Sequence, residues 1–159
     1  MARQPYPAKT IAEWFLAWAE GEDEAVVSNL KLQKLLYYAQ GHYLARKGKP
    51  LFAEDIQAWG HGPVVKPIYH EYKKYGRDGI PSDPAFSFSD VDDKTTAFLV
   101  AIWDTFGAKT AWKLREMTHS EKPWRSTFDE DAREKVIPRS VIEDYFAGLY
   151  AARSRKTRK

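Results

Sequence analysis

Residues 26–50 read VVSNLKLQKLLYYAQGHYLARKGKP, and the reading of this stretch decides the fold. Leu32, Leu35, Leu36, Ala39 and Tyr43 recur at three- and four-residue steps, which stacks them on one face of an α-helix. Ser28 stands where a side-chain oxygen can accept from the first free backbone N–H groups, with Val27 and Leu32 placed as a hydrophobic staple. At the other end Arg46 and Lys47 complement the negative helix terminus, Gly48 suits the left-handed position and Pro50 blocks continuation. The spacing predicts a helix over Asn29–Lys47, buried on one side and wet on the other.

Working outward, residues 11–20 carry Ile11, Trp14, Phe15 and Trp18 at helical spacing, with Thr10 as a cap and Glu13 three residues on. Gly21 stops that helix, and the acidic run EGEDE at 20–24 opposes its dipole. A short extended segment is expected at 56–59. Pro67 belongs in the first turn of a helix over 66–75, with Ile68, Tyr69 and Tyr72 inward and Gly76 as its end. Phe86 and Phe88 alternate as a small strand in an otherwise irregular loop. Ser89 or Asp90 then caps a helix whose Phe98, Leu99, Ile102, Trp103 and Phe106 form a wide stripe closed by Gly107. A shorter helix follows at 109–119 with Ala111, Leu114 and Met117 inward, then a polar stretch broken by Pro123. Pro138 starts the last helix, where Val141, Ile142, Tyr145, Phe146 and Leu149 cover the core. The expected fold is mainly α: one compact helical domain of six or seven helices over 1–151, with a marginal β element.

Composition narrows the function classes. The 159 residues contain no cysteine, which excludes disulfides and thiolate chemistry. No run has the length to cross a bilayer and no apolar segment follows the basic start, so a cytoplasmic protein is expected. The formal net charge of +3 comes from Arg153, Arg155, Lys156, Arg158 and Lys159. Without those five, 20 basic side chains face 22 acidic ones. Residues 152–159 read as a basic, disordered tail.

Catalytic patterns are weak. In AWGHGPVVKPIYHEY (58–72) His61 sits between two glycines, but GHGP lacks the lysine and hydroxyl of a nucleotide-binding loop. His70 and Glu71 lack the second histidine one turn later that a metalloprotease helix needs, and His42 has no acid at the next turn. Ser28, Ser120, Ser126 and Ser140 fall at caps and turns, and no G-x-S-x-G elbow exists. No enzyme activity, metal or cofactor is expected, a hydrolase built on His61 or His119 being the minor reading. The glycines and prolines of 58–72 read as an elbow feeding a helix. A nucleic-acid-binding regulator is the runner-up, using the basic tail with Lys31, Lys34, Arg46, Lys47 and Lys49, and with Lys73 and Lys74 nearby.

The residues Leu30, Lys31, Leu32, Gln33, Lys34, Leu35, Leu36, Tyr37 and Tyr38, then PLF, Trp59 and Gly62-Pro63-Val64, then Tyr69 and Tyr72, make a specific pattern. With His119 and Trp124 in MTHSEKPW, and with VIPRSVIEDYF near the end, this chain resembles the Panacea-domain antitoxins over nearly its whole length. The resemblance implies a non-enzymatic protein that binds and neutralises a cognate toxin protein. In length the chain looks most like the SocA-type proteolytic adaptors, which deliver a toxin aimed at the sliding clamp to the ClpXP protease. From composition and charge, no membrane contact is expected, and nucleic acid is the less favoured partner. The leucines and Trp59 are expected in the core. Lys31, Gln33, Lys34, Tyr37 and Tyr38 are candidates for an outward-facing partner surface; alternatively, both tyrosines lie at the core edge with wet hydroxyls.

Overall fold

The helix whose reading decides the fold is also the centre of the molecule. In the computed structural model, which describes residues 4–22 and 26–157, α2 (Asn29–Lys47) is packed by α1 (Ala8–Glu20), α3 (Lys66–Tyr72), α4 (Asp93–Phe106), α5 (Ala111–His119) and α7 (Arg139–Thr157). A four-residue helix α6 (Lys122–Arg125) links α5 to the last part of the chain. The fold is mainly α, with one small antiparallel sheet of β1 (Gln57–Trp59), β2 (Gly62–Val64) and β3 (Lys135–Val136) in the order β2-β1-β3. Residues 1–3, Asp23 and Glu24 of the acidic run, and Arg158 and Lys159 of the tail lie outside the described residues.

The expected ends of α2 are those observed. Ser28 Oγ accepts from the Lys31 N–H at 3.3 Å, and Gly48 closes the helix at φ 70°. The amphipathic reading of α2 is corrected, however. Every residue from Lys31 to Gly41 is buried, on all sides of the helix. Close packing against α7 leaves no room at Gly41, where a Cβ would lie 2.2 Å from the Phe146 ring. Polar side chains tolerate this because each finds a partner inside, as buried polar groups must.

Several boundaries move for local physical reasons. Helix α1 begins at Ala8 behind Pro7, not at Thr10, and the Ala8 N–H donates to the Glu54 carboxylate at 3.1 Å. Asp92, not Ser89 or Asp90, caps α4, accepting from the Thr95 N–H at 2.8 Å. Asp92 is held there by the Tyr6 hydroxyl, which donates to it at 2.7 Å. Ser87 and Asp90 instead form a capping box on a single 3₁₀ turn, Phe88–Asp90, so the strand expected at Phe86 and Phe88 is absent. The Phe88 ring stands edge-on to the stacked indoles of Trp14 and Trp18. Leu149 is exposed, outside the expected core stripe. Helix α7 continues to Thr157, so most of the segment read as a tail is helical.

The elbow at 58–72 is a hairpin before it is a helix start. Trp59 pairs with Gly62 and Gln57 with Val64, and Pro63 lies on the edge strand, where its missing N–H breaks no ladder bond. Val65 then precedes α3, with Pro67 in its first turn. Trp59, expected in the core, is only half-buried, as is Tyr69, whose ring meets it edge-on at 4.9 Å.

Candidate functional site

The polar residues of α2 serve the interior. Lys31 Nζ donates to the Gly107 carbonyl at 2.6 Å and lies 5.6 Å from the Trp103 ring centre. Gln33 donates to Asn29 Oδ1 and accepts from the Val65 N–H, both at 2.9 Å. Lys34 Nζ donates to the Pro63 carbonyl at 3.0 Å. The Tyr37 and Tyr38 hydroxyls donate to the two oxygens of Glu121, each at 2.9 Å. Gln40 accepts from the Leu51 N–H at 2.8 Å and donates to the Phe52 carbonyl at 2.9 Å. Lys31, Gln33, Lys34, Tyr37 and Tyr38 are therefore not an outward-facing partner surface, and the tyrosine hydroxyls are not wet. Each ties α2 to a loop or to a neighbouring helix. Two cations counted toward a nucleic-acid patch, Lys31 and Lys34, are likewise internal.

Burial sets the charge states of this interior. The Glu121 carboxyl is pushed up to about 7, because desolvation outweighs the two tyrosine hydroxyls that favour its charged form. A carboxyl with a raised folded-state pKa binds more protons folded than unfolded, so the Glu121 contribution to stability is lost as pH rises from about 4.5 to about 7. Glu121→Gln should abolish this decline, which amounts to roughly 3 kcal/mol. Urea unfolding of both proteins at pH 4.5, 6 and 8 checks it; parallel curves would refute the assignment.

Gly62 of the G-P-V sequence adopts φ 110°, and a Cβ there would lie 2.6 Å from Lys34 Cε and 2.8 Å from Thr118 Oγ1. The glycine leaves the space that the Lys34 stem occupies. Burial, reinforced by the Arg115 charge, lowers the Lys34 ammonium to about 7.

Above this interior lies a hollow of about 760 Å³, between the start of α2, the β1–β2 turn, α3 and the start of α5. Leu30, Val64, Trp59, Tyr69 and Trp112 make its lining mostly apolar. Trp112 is 56% exposed, unusual for so large a ring. Arg115 stacks over the Trp112 indole, 4.4 Å from its centre, and its Nε donates to His61 Nδ1 at 2.9 Å. Desolvation first, then the Arg115 and Lys34 charges, lowers the His61 pKa, which matches an imidazole that accepts. On the far side of Gly60 and His61 is a second hollow of about 630 Å³, lined by Phe128, Glu130, Arg133 and Glu134.

The remaining motif residues hold this turn in place. Trp124 Nε1 donates to the Trp59 carbonyl at 2.6 Å, and its ring stacks flat on His119 at 3.9 Å. Tyr72, the last residue of α3, is buried. Trp112 and Arg115 escaped the sequence reading. A signal existed: Trp112 falls off the Ala111, Leu114 and Met117 stripe of its helix, a costly place for an indole without a use. Among the described residues no group of three or more His, Asp or Glu could hold a metal ion, and no helix is long and apolar enough to cross a membrane.

A 73-residue segment is 40% identical to Antitoxin SocA of Caulobacter vibrioides (strain NA1000 / CB15N), covering 46% of this chain and 38% of that protein. The chain thus matches well under half the length of that relative. No solved structure matches. The family described as Antitoxin SocA-like, Panacea domain, matches residues 32–125, from the first turn of α2 through α6. With well over half its length so matched, the chain belongs to the SocA-like Panacea-domain antitoxin family.

Proposed function

We propose that this protein is an antitoxin that binds a toxin protein and neutralises it, acting as an adaptor that delivers the toxin to the ClpXP protease. The observation that carries the reading is the family match over residues 32–125, which takes in the whole β1–β2 hairpin and the helices α3 and α5 beside the aromatic hollow. An adaptor is a binding protein, and its function needs an exposed anchor surface more than a reacting group. Trp112, half-buried Trp59 and Tyr69 supply such a surface, since aromatic side chains carry much of the energy of protein interfaces. His61 and His119 fit the same non-enzymatic reading, one bonded to Arg115 and the other stacked on Trp124.

Purified ClpXP, the protein encoded beside this gene, and this protein are the components of the test. The neighbouring protein should disappear in an ATP-dependent manner only when this protein is present. Binding without accelerated degradation would replace the adaptor mechanism with occlusion. No binding would remove the antitoxin reading.

A further inference from the structure

The hollow beside Trp112 has a one-sided charge. Lys73 and Arg77 line it together with His61, the Lys34 amine closes its floor, and no aspartate or glutamate is among its lining residues. The body of the chain outside the terminal cations is slightly acidic, so this electropositive lining is local. The hollow across the β1–β2 turn differs, since Glu130 and Glu134 line it. Lys34 has three N–H donors when charged, and the Pro63 carbonyl is the acceptor it bonds among the described residues. The volume, about 760 Å³, lies within the range of about 300–1,000 Å³ common for ligand clefts.

We propose that this groove receives a short acidic peptide segment of the toxin, with an aromatic or aliphatic residue seated among Trp59, Tyr69 and Trp112 and carboxylates set against Lys73 and Arg77. The proposal rests on the antitoxin reading and adds the site and the chemistry of its occupant. Apolar walls suit a side-chain anchor, and rim cations steer and orient an anionic segment. A nucleic-acid strand is less well matched. It needs a continuous track of cations for its phosphates, and the basic lining ends at the Glu-bearing hollow beyond Gly60.

The test uses the full chain and three probes: the intact neighbouring protein, an array of overlapping peptides tiling it, and a twelve-nucleotide oligothymidylate. Trp112→Ala and the pair Lys73→Glu/Arg77→Glu alter exposed side chains, and unchanged thermal unfolding establishes that they fold. Wild type should capture tiles that combine acidic residues with an aromatic or aliphatic one. Each variant should lose about tenfold or more in affinity for those tiles and for the intact protein. If the intact protein binds both variants as it binds wild type, the groove proposal is overturned while the antitoxin reading stands. Oligothymidylate that competes with the tiles overturns the peptide assignment. If the intact protein binds neither wild type nor variants, both readings fall.

Discussion

Gly62→Ala should be among the most damaging small substitutions in the molecule, lowering stability by about 4 kcal/mol. Two separate costs combine. A side chain at φ 110° stores on the order of 1–3 kcal/mol of backbone strain. The new methyl would also meet Lys34 Cε at 2.6 Å and Thr118 Oγ1 at 2.8 Å, an overpacking that costs roughly 1–3 kcal/mol more. For a domain of ordinary stability, about 5–15 kcal/mol, that is a large share. A double-mutant cycle in urea separates the two costs. Lys34→Ala in the Gly62→Ala background should recover the steric part and leave the backbone part. Strict additivity would show that Gly62 does not exist to admit the lysine stem.

Lys34→Met should cross wild type on a plot of stability against pH. The Lys34 amine has a folded pKa of about 7 against an unfolded value of 10.5, so between these limits the unfolded chain binds more protons. Wild-type stability therefore rises with pH through that window, by on the order of 5 kcal/mol, and the burial cost is fully present below about pH 7. Methionine keeps most of the stem volume and carries no charge, but it leaves the Pro63 carbonyl without its donor, at about 1–3 kcal/mol. The variant should be more stable than wild type at pH 6 and less stable at pH 10. Urea unfolding at those two values decides the matter, and curves that do not cross would mean Lys34 is charged throughout. Glu121 slopes the opposite way in a lower window, where His42, its imidazole lowered to about 4 by burial, offsets it.

Much of the fold was legible because local chemistry specifies it. Ser28 and Gly48 bound α2 in the sequence as they do in the structure. The errors arose where distant partners decide. Lys31, Gln33, Lys34, Tyr37 and Tyr38 look solvent-facing in a single sequence because polarity is visible there and partners are not. Lys31 bonds a carbonyl 76 positions away, and Tyr37 a carboxylate 84 away. Periodicity cannot distinguish a wet face from a face whose water has been replaced by loop carbonyls. The α4 cap shifted to Asp92 for a similar reason, since Tyr6 reaches across 86 positions to hold it. Of the candidate site, Trp59 and Tyr69 were marked as motif residues, whereas Trp112 and Arg115 lie outside the quoted motif.

A helix whose polar side chains from Lys31 to Gln40 are committed inward separates two kinds of information along one chain. The polar LKLQKLLYYAQ residues encode mainly how loops are tethered. If the proposed groove is the toxin site, partner choice can be rewritten at its rim, at Trp112, Lys73 and Arg77, without touching a single tether. A library confined to such rim positions should yield new binding specificities on an unaltered frame, whereas the same diversity placed on α2 should yield mostly unfolded chains.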